Sequence, residues 1–175
     1  MSNTVRLLAL ILALSGLAAC SQPSGDANDP PVASAEAQAL ETLFADEWAS
    51  RMARNPLLAS RMGVDGYNRL LPDAAPEAQA GYLAEDRAFL ERLAAIDRSA
   101  LTLEEATNYD LFEFIVGHRA RQAEFRPYRI PILSDSGFHT WIQRMHESVS
   151  FDSVADYEDY LARLEAIGPY MAQNI

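Results

Sequence analysis

The chain has 175 residues, 25 of them acidic and 14 basic, for a formal net charge of −11. Every basic residue is an arginine. Nucleic acids and anionic headgroups recruit clustered positive charge, so this balance argues against both as partners. The apolar fraction of 49% is ordinary for a globular chain, and the length suits one domain or part of one.

The first twenty residues have the layout of an export signal. One positive charge, Arg6, precedes an uninterrupted apolar run over 7–14, followed by Ser15-Gly16-Leu17-Ala18-Ala19-Cys20. That run is far short of the ~20 residues a spanning helix needs. Leu17-Ala18-Ala19-Cys20 matches the lipobox of bacterial lipoproteins, in which small residues admit the signal peptidase between Ala19 and Cys20. The Cys20 thiol then carries the lipid. Cys20 is the only cysteine, so no internal disulfide can form, and lipidation accounts for a lone exported thiol. In a Gram-negative cell, Ser21 in place of an aspartate resembles the pattern sorted to the outer membrane. The expectation is a signal peptide over 1–19, then a lipidated Cys20 and tether over 20–35. The protein is then held in the cell envelope, at the periplasmic face of the outer membrane. Pro23, Gly25, Pro30 and Pro31 make the tether, and ~14 flexible residues reach about 20 Å. Loss of Arg6 with the signal makes the mature chain one charge more negative.

A helix is expected from near Ala35, with Leu40, Phe44, Trp48 and Met52 as its buried stripe, Leu43 widening it and Glu47 outside it. Asn55-Pro56 ends it and opens a short second helix; Gly63 and Asp65-Gly66 read as stop and turn. A third helix over 76–96 buries Tyr82, Phe89, Leu93 and Ile96. The fourth begins at Thr102, where Thr102-Leu103-Glu104-Glu105 fits a capping box, and carries Leu103, Ala106, Tyr109, Phe112 (or Glu113) and Val116. Pro127 and Pro131 with alternating Tyr128, Ile130 and Ile132 predict a short extended segment over 125–133. The stretch 137–150 has no decisive pattern. Asp152 or Ser153 caps a further helix with Val154, Tyr157, Leu161 and Leu164 on one face, ended by Gly168-Pro169. The fold class is therefore mainly α, a multi-helix array. Pro169 can start another helix, with Tyr170, Met171 and Ile175 as its apolar face, and so short a run leads one to expect a continuation.

Catalytic patterns are sparse. His139 and His146 stand seven apart, two turns if helical, but Ser150 occupies the place a His-Glu-x-x-His motif needs after His146-Glu147. His118, beside Arg119 and Arg121, reads as a solvated helix end. Ser134-Asp135-Ser136-Gly137 near His139 is a turn signal rather than a serine triad. Asp156, Glu158 and Asp159 read as a solvated face. Trp141 and Tyr128 read as packing beneath a loop, with a ligand groove as the alternative. No catalytic residue and no metal ligand is assigned.

Three phrases carry a resemblance: ADEWASRMARNPLLASRMGVDGYNRLLPD, FLERLAAIDRSALTLEEATNYDLFEF and VADYEDYLARLEAIGPYMAQNI. Together they resemble the N-terminal part of bacterial lipoproteins of the domain-of-unknown-function family 885 (DUF885). That family is similar to zincin-type metallopeptidases, with a His-Glu motif followed by Gly-His-His. The resemblance implies that residues 36–175 are the N-terminal helical part of a larger zincin-like fold, walling a substrate cleft. It further implies zinc and a peptide substrate for the full-length protein. No position here matches the family's metal motif, so no catalytic role is carried over. The end at Ile175 implies a fragment or the product of a truncated gene. The alternative is a non-enzymatic envelope lipoprotein that binds a partner or cell-wall component.

Lipidation has a direct test. Wild-type chain expressed in a suitable bacterium should partition into detergent and incorporate labelled fatty acid, and Cys20→Ser should do neither. Label in the serine variant, or a wild type with a free thiol, would overturn the assignment.

Overall fold

The computed structural model describes residues 34–175; the signal, Ala19, Cys20 and nearly all of the tether lie outside the described residues. The expectation of a mainly helical protein holds, and the elements follow from local sequence chemistry. Helix α1 (Ala35–Arg54) starts where the Ser34 hydroxyl accepts a hydrogen bond from the Ala37 amide, and α2 (Pro56–Arg61) where the Asn55 side chain accepts from Leu58. Gly63 (φ 69°) and Gly66 (φ 88°) then turn the chain in the left-handed region, which costs a glycine little. Helix α3 spans Pro76–Ala94, and α4 spans Leu103–Glu124 behind the capping box of Thr102 and Glu105.

Helices α1, α3 and α4 share one core. Leu40 and Leu43 of α1, Phe89 and Leu93 of α3, Ile96, and Phe112 and Val116 of α4 are buried together, with Phe44 against Phe112 at 5.1 Å between ring centroids. The stripe on α1 is rotated from the expected one. Trp48 is exposed, whereas Glu47 is buried, because Glu47 has an ionic partner on α4 that a hydropathy pattern does not reveal. Leu103 is likewise exposed rather than buried, since it lies in the first turn of α4, before the helix meets its neighbours. Tyr82 is only half-buried.

The segment 125–133 is less extended than its prolines suggest. Pro127 opens a one-turn 3-10 helix, Pro127–Arg129, because a proline in a first turn gives up no needed hydrogen bond. Only β1 (Ile132–Leu133) is strand. It pairs antiparallel with β2 (Ser136–Gly137) across the two-residue turn Ser134-Asp135, with Leu133 opposite Ser136. A short helix, α5 (Phe138–Trp141), then runs into a 3-10 segment, Ile142–Ser148. Gly137 is required at this junction: its φ is 145°, and a Cβ there would lie 2.4 Å from the Pro131 carbonyl oxygen.

Helix α6 (Val154–Glu165) is capped by Ser153, whose hydroxyl accepts from the Asp156 amide while the Asp156 carboxylate accepts from Ser153. Its apolar side does not face the core. Val154, Tyr157 and Leu161 are exposed, and Leu164 is 39% exposed; the fully buried residue is Arg163. Gly168-Pro169 does not end this helix. The break comes at Ala166, and Pro169 sits in the first turn of α7 (Ile167–Gln173), where proline is tolerated. Among the described residues no helix is long and apolar enough to cross a membrane.

A cluster of buried charges joins α1, α3 and α4. The Arg119 guanidinium donates to both oxygens of Asp86 at 2.7 Å and to Glu47 at 2.8 Å, and Arg54 donates to Asp86 at 2.5 Å. Asp86 is 2% exposed. Removing Asp86 takes from Arg119 and Arg54 their shared buried counter-charge and leaves them Glu47 and the exposed Glu85, and loss of a buried ionic partner costs up to roughly 3–5 kcal/mol. Asp86→Ala should therefore lower the unfolding free energy by that order in a urea titration. Arg98→Ala, which removes an exposed pair with Asp110, should leave the denaturation midpoint within error. Equal effects from the two substitutions would refute this ranking.

Candidate functional site

A cleft of about 720 Å³ lies between the end of α1, α2, the β1–β2 turn, the α5 region and α7. Its volume falls within the roughly 300–1,000 Å³ usual for small-ligand sites. Arg54, Arg61, Pro72, Asp135, Arg144 and Glu147 line it together with Trp141, Met145 and Tyr170. Each side chain is placed by an identifiable cause. Arg54 is in the last turn of α1, held by Asp86 and by Glu85, whose carboxylate lies 2.7 Å from its Nη2. The Tyr82 ring packs beneath its guanidinium at 5.3 Å. Arg61 closes α2, where a cation suits the helix dipole, and Asp135 is put at the cleft by the hairpin turn. Trp141 ends α5 and meets Tyr170 of α7 edge-on at 5.3 Å.

The electrostatics divide these groups into committed and available ones. Arg54 is bound into the buried cluster. Arg144 and Glu147 pair with each other at 3.0 Å, and the hydrogen bond from Arg144 holds the Glu147 carboxyl below its ordinary value. Burial pushes the Tyr170 hydroxyl up, so it stays protonated. Arg61 and Asp135 are exposed and have no polar partner among the described residues.

Arg163 stands behind α2. One of its terminal nitrogens donates to the Ser60 hydroxyl and the Tyr67 carbonyl, each at 2.7 Å, while Nε and Nη1 are buried without a partner. Burial lowers its pKa from the usual arginine value. With Gln173, which accepts from the Ala74 amide at 3.0 Å, it ties α6 and α7 to the front of the chain.

The residues weighed from sequence are dispersed. His118 is exposed on α4 and stacks on Phe114; His146 is exposed in the 3-10 segment. His139 is half-buried, its Nδ1 enclosed without a partner, with Phe138 edge-on beside it. Among the described residues no group of three or more His, Cys, Asp or Glu side chains could hold a metal ion. The described residues therefore do not themselves fit the zinc that the resemblance implies for the full-length protein. Ser136 donates to the Leu133 carbonyl within the hairpin, and Asp156 is spent on capping. Asp159 approaches Arg69 at 3.7 Å, so two of the three acidic residues weighed on α6, Asp156 and Asp159, have structural partners. Trp141 does line a cleft, but Tyr128 belongs to a separate, smaller depression with Leu83 and Arg126, so the two share no groove. Asp135 read only as part of a turn in the sequence, and Arg54 and Arg61 carried no signal, because nothing in spacing joins residues that far apart in the chain.

A second, apolar groove of about 480 Å³ runs between α1 and α4, lined by Phe44, Trp48, Leu111 and Ile115 among others. Leu111, Phe114 and Ile115 form an exposed apolar surface on α4.

No curated protein and no solved structure matches the chain. Residues 56–175, which include both walls of the cleft beyond α1, match the family model described as a bacterial protein of unknown function, DUF885. The chain belongs to the DUF885 family.

Proposed function

We propose that the chain is the N-terminal helical part of an exported, lipid-anchored, zinc-dependent peptidase-like hydrolase, and that its cleft belongs to the wall of the substrate channel. The observation that carries this reading is the polar cleft with an aromatic side, built almost wholly from the family-matched stretch. The anchor is the lipid on Cys20, at the periplasmic face of the outer membrane. On this reading the metal ligands and the accompanying glutamate would lie on a His-Glu and Gly-His-His segment that is not in this sequence, and the zinc would supply Lewis-acid chemistry there. Such a site takes about three protein ligands around one zinc and a carboxylate beside it. The present helices contribute substrate contacts and rigidity.

A second reading, a non-enzymatic envelope lipoprotein, draws on the exposed apolar faces of α4 and α6. Surfaces of that kind are frequent where a protein partner docks.

The two readings part in one experiment. Metal content by mass spectrometry and cleavage of a peptide library are measured on this chain and on the product of the reading frame continued past codon 175. This chain should hold less than stoichiometric zinc and cleave nothing; the longer product should hold one zinc and lose both metal and activity to a strong chelator. A long product carrying the motif yet metal-free and inactive after zinc supplementation would overturn the peptidase reading. One zinc per short chain, lost in His139→Ala or His146→Ala, would overturn the placement of the metal.

A further inference from the structure

We infer that the cleft recognises the free ends of a short peptide, with Arg61 receiving the terminal carboxylate and Asp135 the terminal ammonium. The inference deepens the peptidase-like reading and rests on it for the choice of a peptide over other zwitterions.

The argument begins with the balance of charge in the cleft. Three cations and two anions line it, in a chain whose formal charge is −11. Arg54 is fixed by Asp86 and Glu85, and Arg144 by Glu147. What remains is one cation and one anion, Arg61 and Asp135. They come from different elements, α2 and the β1–β2 turn, and neither finds a partner in the other or in any described residue. Two unpaired opposite charges facing one concavity make a site that a zwitterion satisfies at both ends. A guanidinium presents a planar fork that matches a carboxylate, and a carboxylate accepts readily from an ammonium.

The lining between these charges favours a peptide with an apolar side chain. Trp141 and Tyr170 offer an aromatic surface, Met145 and Leu57 an aliphatic one. Tyr170 keeps its hydroxyl protonated, since burial raises its pKa, so the wall adds no charge that would repel a carboxylate. The Asn55 side-chain nitrogen can donate, and the Thr140 hydroxyl oxygen, whose hydrogen goes to the Gly137 carbonyl, can accept, from the backbone between the ends. The volume admits a few residues and no more.

Trp48 and Trp141 are the two tryptophans, so Trp48→Phe leaves Trp141 as a reporter inside the cleft. The full chain with that substitution is titrated with the tripeptide alanyl-phenylalanyl-alanine, free at both ends, acetylated, amidated, or blocked at both ends. The free tripeptide should change Trp141 emission saturably. Amidation and acetylation should each weaken binding about tenfold, as expected when a charge-assisted hydrogen bond is lost. Arg61→Gln should weaken the free tripeptide about tenfold and leave the amidated one unaffected. Asp135→Asn should do the same for the free and acetylated pair. Equal affinity for the free and the doubly blocked tripeptide, or no saturable change with any of them, would overturn the inference. Binding is read without metal and without cleavage, so terminus recognition here with no hydrolysis by the longer product would remove only the peptidase reading. Hydrolysis by the longer product, with no effect of blocking the ends here, would remove only the terminus assignment.

Discussion

A buried carboxylate that must be answered by arginines organises the described structure. Asp86 lies on the face of α3 that meets both neighbours, and at 2% exposure water cannot stabilise its charge. Arg119 on α4 and Arg54 on α1 supply that stabilisation, and Glu47 completes the Arg119 coordination. Burial works against the Arg119 charge, but its bonds to Asp86 and Glu47 outweigh this and raise its pKa. Apolar packing of Leu40, Leu43, Leu93 and Val116 is non-directional and would tolerate sliding of the helices. The bidentate contact of Arg119 with Asp86 has a defined geometry and fixes their register. Because Arg54 belongs both to this cluster and to the cleft, the same interaction sets one wall of the candidate site.

The second half of the chain is attached differently. Arg163 and Gln173 hold α6 and α7 by hydrogen bonds to the Ser60 to Ala74 region, and Tyr170 packs on Phe138 and Trp141. This orientation turns the apolar side of α6 outward. Two unsatisfied Arg163 nitrogens and an exposed run of Val154, Tyr157 and Leu161 are both unfavourable locally. They place the less favourable local energetics in α6 rather than in the three-helix core.

Much of this was legible in the sequence, and the failures have a common cause. Caps at Asn55, Thr102 and Ser153, and the turns at Gly63 and Gly66, are local chemistry that a few adjacent residues determine. Burial was misjudged where a long-range partner overrides hydropathy. Glu47 goes inside because Arg119 meets it, and Trp48 and Leu161 stay outside because no described helix covers them. The 3-10 turn at Pro127 was missed because proline, which breaks a helix interior, is well suited to a helix start. The cleft was out of reach for the same reason as the cluster: Arg61, Asp135 and Tyr170 come together only through the tertiary fold. The family resemblance, by contrast, rested on the order of whole phrases, and the match over residues 56–175 agrees with it.

The claim that ionic geometry, rather than packing alone, registers the three helices is tested most directly by a double-mutant cycle. Unfolding free energies of the parent chain, Asp86→Asn, Arg119→Met and the double variant give the coupling between the two side chains. A shared buried contact predicts a coupling well above the roughly 0.5 kcal/mol within which independent sites add, toward about 3 kcal/mol. Additivity of the two substitutions within that smaller margin would contradict the account.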